Sequence, residues 1–333
     1  MAQSNLSLEI LTNSYLQCLS TEGKSPRTIE FYSGNLKRFM RYLRDHGLTD
    51  LVNHIGLMEA RSFIGYLQTE TCRWENHPNM KKEQRLSPYS VHGYVRSIKA
   101  FWGWLHTEGY INNNVMTGLK TPKVPKKIIP TFTTEQIQKM IAVIDRSTPL
   151  GFRDFIIVSI LLDTGIRLSE LAGLQIEDID FIHSCFVVRG KGNKERIVPF
   201  GNQVRQHIRK YLTQFRPEPE SSHIGHLLLT SAGLPLKTRS IHSIIFRLGM
   251  TAAISGVRCT PHTFRHTFAK QYLMQGGDIF SLQRILGHTS LEVVSMYINL
   301  ASTDIMQQHH KFSPVDNIYP SMRRRRLGTP KPY

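Results

Sequence analysis

At 333 residues the chain exceeds the usual ceiling for one hydrophobic core, so two domains are expected, and 40% hydrophobic with 9% aromatic residues excludes wholesale disorder. Lys and Arg number 42 against 25 Asp and Glu, a net charge of +17 that points to a polyanionic partner, either nucleic acid or an anionic membrane surface. The densest apolar run, residues 155–162, is far too short to span a bilayer.

Two N-terminal segments open alike. Ser25-Pro26 starts a helical pattern with Ile29, Tyr32, Leu36, Phe39, Met40 and Leu43 on one face, closed by Gly47. Ser87-Pro88 starts another with Val91, Tyr94, Val95, Ile98, Phe101, Trp102 and Leu105, closed by Gly109. Ser suits an N-cap, and Pro at the first helical position loses nothing by lacking an N–H. Weaker helical patterns cover residues 6–19 and 57–67, and polar residues 71–85 read as a loop. Together these predict a helical first domain over residues 1–118.

Residues 119–130 read as a linker: the stretch Lys-Thr-Pro-Lys-Val-Pro-Lys-Lys at 120–127 is basic, stiffened by proline and without an acid. Lys120, Lys123, Lys126 and Lys127 are candidates to follow a phosphate backbone, against the plainer reading of a solvated tether. A second domain, residues 131–312, begins at the helix-start signal Thr133-Thr-Glu-Gln136. Helices are predicted at 134–144, 152–162 and 168–174. Strands at 185–189 and 195–199 flank the turn Gly190-Lys-Gly-Asn193, and 227–230 reads as a further short strand. From 237 to 312 the pattern is helical throughout, and a basic tail, 313–333, carries Arg323-Arg-Arg-Arg326.

Several chemistries drop out. Cys18, Cys72, Cys185 and Cys259 are scattered with no Cys-x-x-Cys pair, which argues against a disulfide framework or a cysteine-built zinc site and fits a reducing cytoplasm. Residues 1–10 lack the basic and apolar blocks of a secretory signal. No Gly-rich loop ends in Gly-Lys-Ser/Thr, so ATP hydrolysis has no support.

The informative stretch is Pro261-His-Thr-Phe-Arg-His-Thr-Phe268, followed by Leu286-Gly-His288 and Tyr297. His262 and Arg265, three apart, share a helix face. Arg167 lies upstream in Thr164-Gly-Ile-Arg-Leu-Ser-Glu170, where Gly165 permits a bend that sets the guanidinium at a helix start. His262 and His266 have a zinc-like spacing, but a zincin helix needs Glu after the first His, and Thr263 stands there. A lone Arg is usually solvated and a lone Tyr usually core; the ordered spacing is what singles these residues out.

That spacing resembles the tyrosine recombinase, or phage integrase, family, and more narrowly its Xer-like bacterial members. The resemblance spans most of the chain and is most specific at Thr-Gly-Ile-Arg-Leu-Ser-Glu-Leu (164–171), Gly-Lys-Gly-Asn-Lys-Glu-Arg (190–196), His-Thr-Phe-Arg-His (262–266) and Leu-Gly-His-Thr-Ser (286–290) ahead of Tyr297. It implies a mainly α fold with a small β-sheet: an N-terminal helical core-binding (SAM-like) domain and an α+β tyrosine recombinase catalytic domain.

It also implies a site. Arg167 and Arg265 would clamp the scissile phosphate, with bidentate guanidiniums standing in for metal ions. Tyr297 would be the nucleophile, and His262 would accept its proton. His288 would hydrogen-bond the phosphate or the nucleophile, and Lys191, with Lys194 as competitor, would protonate the departing 5′-oxygen. Glu170 would orient Arg167 or the histidines. The implied activity is site-specific recombination through a 3′-phosphotyrosyl intermediate and a Holliday junction, with no cofactor, ATP or metal. The implied partner is double-stranded DNA carrying specific sites, bound by a homotetramer assembled from free monomers or dimers in the cytoplasm, without a membrane. The basic tail and the 71–85 loop lean towards a mobile element. A type IB-like topoisomerase and a catalytically silent DNA-binding protein are the alternatives; the filled set of site residues speaks against the second.

Overall fold

The computed structural model describes residues 6–69, 85–124, 130–189, 195–287 and 315. The chain divides into two compact units, Met1–Lys127 and Ile128–Tyr333.

The first unit is helical. Its helices are α1 (Leu8–Thr21), α2 (Pro26–Asp45), α3 (Leu57–Thr69) and α4 (Pro88–Thr107). The twin starts behave as their sequences require: Ser25 Oγ accepts from Thr28 N–H and Ser87 Oγ from Ser90 N–H, each with Pro at the first position. Gly47 and Gly109, just past the ends of α2 and α4, have φ of +64° and +77°, a left-handed turn that glycine takes without penalty. Leu36, Phe39 and Leu43 of α2, Phe63 of α3 and Val95, Phe101, Trp102 and Leu105 of α4 share one core. Inside it, Asn35 Nδ2 donates to Ser97 Oγ at 2.8 Å, so the polar atoms facing across α2 and α4 satisfy each other. After α4 the backbone becomes irregular, and Lys120 and Lys123 are exposed there. Lys126, Lys127 and nearly all of the expected 71–85 loop lie outside the described residues.

The second unit is built around α6 (Pro149–Thr164), whose residues are buried on almost every side. A helix apolar all round has to be a core helix. Ahead of it, α5 (Thr134–Ala142) starts with the full capping box between Thr133 and Gln136. After it come α7 (Leu168–Gly173) and an antiparallel sheet of β1 (Ile179–Asp180), β2 (Cys185–Arg189) and β3 (Glu195–Pro199), in that order. Next are α8 (Asn202–Lys210), running on into a wider π-helical turn at Tyr211–Phe215, then α9 (Thr238–Thr251), α10 (Pro261–Met274) and α11 (Ile279–Leu286). The molecule is mainly helical with one small sheet, as expected. No helix among the described residues is long and apolar enough to cross a membrane.

Four details depart from the expectations. Helix α6 starts at Pro149 rather than 152, because Thr148 caps it and Pro149 takes the first position. Residues 227–230 form no regular strand. They fold into a tight local turn instead: Thr230 N–H donates to Leu234 O and Leu236 N–H to Leu228 O around Gly233 at φ +73°, so pairing stops at the isolated bridge Leu229↔Pro235. Among the described residues, the stretch after 237 is divided into α9, α10 and α11 by left-handed residues: Ala253 at +49°, Gly256 at +76° and Gly276 at +87°. Helix α8 and the two-residue β1 carried no expectation, although Val204, Ile208 and Tyr211 give the core-facing spacing of α8.

Candidate active site

The site is built where three arginines from three elements meet the end of α11. The last carbonyls of any helix lack intrahelical partners, and the end carries partial negative charge. Here three consecutive carbonyls each accept from a different guanidinium. Arg196 of β3 donates from Nε to Ile285 O at 3.0 Å, Arg265 of α10 from Nη2 to Leu286 O at 2.6 Å, and Arg167 from Nη2 to Gly287 O at 2.6 Å. The chain can present its backbone this closely because Gly287 caps α11 at φ +64°; a Cβ there would lie 2.8 Å from Arg196 Cδ and 3.2 Å from Arg167 Nη1.

Arg167 reaches this point through the bend foreseen at Gly165, which ends α6 at φ +58° and leaves Arg167 as the N-cap of α7. The Gly165 carbonyl itself accepts from Arg265 Nη1 at 2.7 Å, so the same bend anchors both guanidiniums. Arg265 is almost wholly buried, whereas the Arg167 side chain is 38% exposed and open to an incoming anion.

Glu170 lies beneath them with a side chain only 4% exposed. It accepts from Arg167 twice, from the backbone N–H at 2.9 Å and from Nη1 at 2.9 Å. Arg196 adds a two-pronged bond, Nη1 to Oε1 and Nη2 to Oε2, the latter at 2.7 Å. Burial pushes the Glu170 pKa up, but the hydrogen bonds and charge of Arg196, with the two hydrogen bonds from Arg167, outweigh it and hold the carboxyl below its ordinary value. The expected role of Glu170 towards Arg167 therefore has direct contacts behind it. Arg196 had no assigned role, although it closes the Gly-Lys-Gly-Asn-Lys-Glu-Arg stretch; its function depends on contacts 26 and 89 residues away in the chain.

On α10, His262 is exposed one turn before Arg265. Partial desolvation and the Arg265 charge lower its pKa, so the ring is neutral and able to accept a proton at pH 7. The His266 ring centre is 5.2 Å from that of His262, and burial, His262 and Arg265 bring its pKa down to about 4. Among the described residues no cluster of three or more His, Cys, Asp or Glu is arranged to hold a metal ion.

The structure thus brings Arg167, Glu170, Arg265 and His262 into one neighbourhood. Lys191, His288 and Tyr297 lie outside the described residues, as does Lys194. Strands β2 and β3, paired through Arg189↔Glu195, bracket the segment that holds both lysines, and His288 follows Gly287 directly in the chain.

The pattern of the phage integrase family matches residues 130–303. The chain belongs to that family. It is a tyrosine recombinase, an enzyme that breaks and rejoins DNA. Tyrosine recombinase XerC of Oceanobacillus iheyensis is 33% identical to it over 314 residues, 93% of this chain and 98% of the relative. Tyrosine recombinase XerD of Staphylococcus haemolyticus is 28% identical over 309 residues, 92% and 99% of the two chains. Among solved structures, a lambda integrase tetramer bound to a Holliday junction shares the fold of this recombinase, with a TM-score of 0.67 at 18% identity over 88% of this chain and 78% of that one.

Proposed function

We propose that this site-specific recombinase cleaves DNA by in-line attack of Tyr297 on a phosphodiester held by Arg167 and Arg265. The bond from Tyr297 Oη to phosphorus forms as the bond to the 5′-oxygen breaks. The phenolic proton passes to His262, and Lys191 delivers a proton to the departing 5′-oxygen. His288 supports the phosphate or the nucleophile. The product is a 3′-phosphotyrosyl link and a free 5′-hydroxyl, so the energy of the broken bond is kept and resealing needs no ATP.

The observation that carries this reading is the convergence of the two guanidiniums on adjacent carbonyls, Arg265 on Leu286 O (and on Gly165 O) and Arg167 on Gly287 O. Preorganised cations cost no reorganisation when charge builds on the non-bridging oxygens. A guanidinium has five N–H donors, and Arg167 commits two to Glu170 and Gly287, leaving capacity for a phosphate. The exposed Lys120 and Lys123, with Lys126 and Lys127, follow the DNA backbone between a core-binding domain (1–118) and the catalytic domain (131–312). Strand exchange runs through a Holliday junction in a tetramer, a reading supported by the lambda integrase tetramer on such a junction. The enzyme acts in the cytoplasm.

The test uses a nicked duplex carrying the recombination site. The wild type should form a covalent protein–DNA adduct that Tyr297→Phe abolishes; equal behaviour of the two would overturn the reading. A 5′-phosphorothiolate substrate, whose sulfur leaves without protonation, should rescue Lys191→Ala. Rescue of Lys194→Ala instead would reassign the acid.

A further inference from the structure

We infer that Arg196 is a positioning residue for strand cleavage: it holds Glu170 so that Arg167 can serve the phosphate, and ties β3 to the end of α11. The inference rests on the role proposed above for Arg167.

The starting point is the register of β3. Arg196 pairs with Val188, and Arg196 and Val198 lie on the less exposed face while Glu195, Ile197 and Pro199 point to solvent. A one-residue slip would turn Arg196 outwards. Held in register, its side chain is 13% exposed and makes three bonds, two to Glu170 and one to Ile285 O. One residue therefore joins β3, the start of α7 and the end of α11. Those are the elements that bracket Lys191, carry Arg167 and lead directly into His288.

Charge sharpens the argument. Glu170 is one buried carboxylate facing two guanidiniums. With Arg196 engaging both of its oxygens, Glu170 steers Arg167 without neutralising the site. Without Arg196, the same buried carboxylate would keep its ion pair with Arg167, and the pair would draw Arg167 away from the phosphate it has to serve. An unpaired or half-paired buried charge is costly, so the pull would be strong. Lysine is a poor substitute, because a point charge cannot span both carboxylate oxygens and also reach Ile285 O.

The experiment measures single-turnover cleavage by the full chain on two nicked duplexes, one with the ordinary scissile phosphodiester and one with a methylphosphonate there. The methyl group replaces one non-bridging oxygen and removes the charge that the arginines serve. Arg196→Gln should lower cleavage of the phosphodiester by about 100-fold, the scale of an ångström-sized misplacement, while duplex affinity stays unchanged. On the methylphosphonate its deficit should shrink, as that of Arg167→Ala shrinks. Arg196→Lys, which retains the charge and guards against misfolding of the Gln variant, should recover only part of the rate. Adding Glu170→Gln to Arg196→Gln should restore activity relative to Arg196→Gln alone, a non-additive result that a passive scaffold residue would not give.

Equal deficits on both substrates, or a lower melting temperature with unaltered cleavage, would overturn the inference. If Arg167→Ala cleaved the phosphodiester at the wild-type rate, the proposed phosphate clamp itself would be wrong, a failure distinct from a wild-type rate in Arg196→Gln alone.

Discussion

Gly287→Ala separates backbone strain from active-site geometry. At φ +64° an alanine incurs about 1–2 kcal/mol for the left-handed backbone alone. Its Cβ would sit 2.8 Å from Arg196 Cδ and 2.9 Å from Arg196 Nε. Carbon contacts are comfortable from about 3.5 Å, so Arg196 must withdraw by about 0.7 Å. That movement breaks the 3.0 Å bond to Ile285 O and loosens the grip on Glu170. Against a total stability of about 5–15 kcal/mol, the loss leaves the protein folded at 25 °C, so any large rate effect is geometric. Cleavage should fall by about 100-fold, or about 2.7 kcal/mol of barrier. The assay pairs thermal unfolding with single-turnover cleavage of a nicked duplex. Gly287→Asn sharpens it: asparagine tolerates the left-handed region better but brings the same Cβ. It should regain stability without regaining rate. Wild-type cleavage by both variants would refute the argument that the carbonyls at the end of α11 organise the arginines.

Four further outcomes are expected. Gly165→Ala should destabilise more than Gly287→Ala, because its Cβ would lie 2.5 Å from Cδ1 of the buried Phe268 ring, adding overpacking of about 1–3 kcal/mol to the backbone cost; denaturant unfolding measures this. The rate of cleavage should fall as pH drops through the pKa of His262, since a base must be unprotonated, and the lowered pKa sets that midpoint below the ordinary histidine value of 6.5; a pH profile with its acid limb centred above 6.5 would contradict the assignment. Asp154→Ala should cost about 3–5 kcal/mol in urea unfolding, because it strands the buried guanidinium of Arg153, now paired with Asp154 at 2.8 Å. Replacing Lys120 and Lys123 by alanine should flatten the plot of log affinity against log salt by about 0.9 for each phosphate no longer neutralised, with little change in cleavage of saturated enzyme; an unchanged slope would return these lysines to a solvated tether.

Much of the architecture was legible because it is local. The Ser-Pro starts of α2 and α4, the capping box of α5 and the strands around residues 190–194 rest on residues within a few positions of each other. The run at 227–230 has the buried, apolar leucines of a strand, but the chain turns back on itself at Gly233 and pairs only as far as Leu229↔Pro235, a local turn that the apolar pattern does not mark. The stretch after 237 breaks at Ala253, whose side chain does not announce a left-handed conformation, and at Gly256 and Gly276, where glycine permits such a turn without requiring it.

The candidate site divides in the same way. Sequence alone determined which residue types could do phosphoryl chemistry. The Gly165–Arg167 bend and the His262–Arg265 spacing are one helical turn or less, and resemblance to a family tied them to His288, Lys191 and Tyr297. Only the tertiary structure decided what holds the arginines. Arg167 meets Gly287 across 120 residues, Arg265 meets Gly165 across 100, and Arg196 meets Ile285 across 89. A guanidinium's partners are fixed by which carbonyls a distant helix leaves unsatisfied, and periodicity along the chain carries no record of that. Arg196 is the clearest case: in the sequence it is one more basic residue among 42, and in the fold it joins three elements of the site.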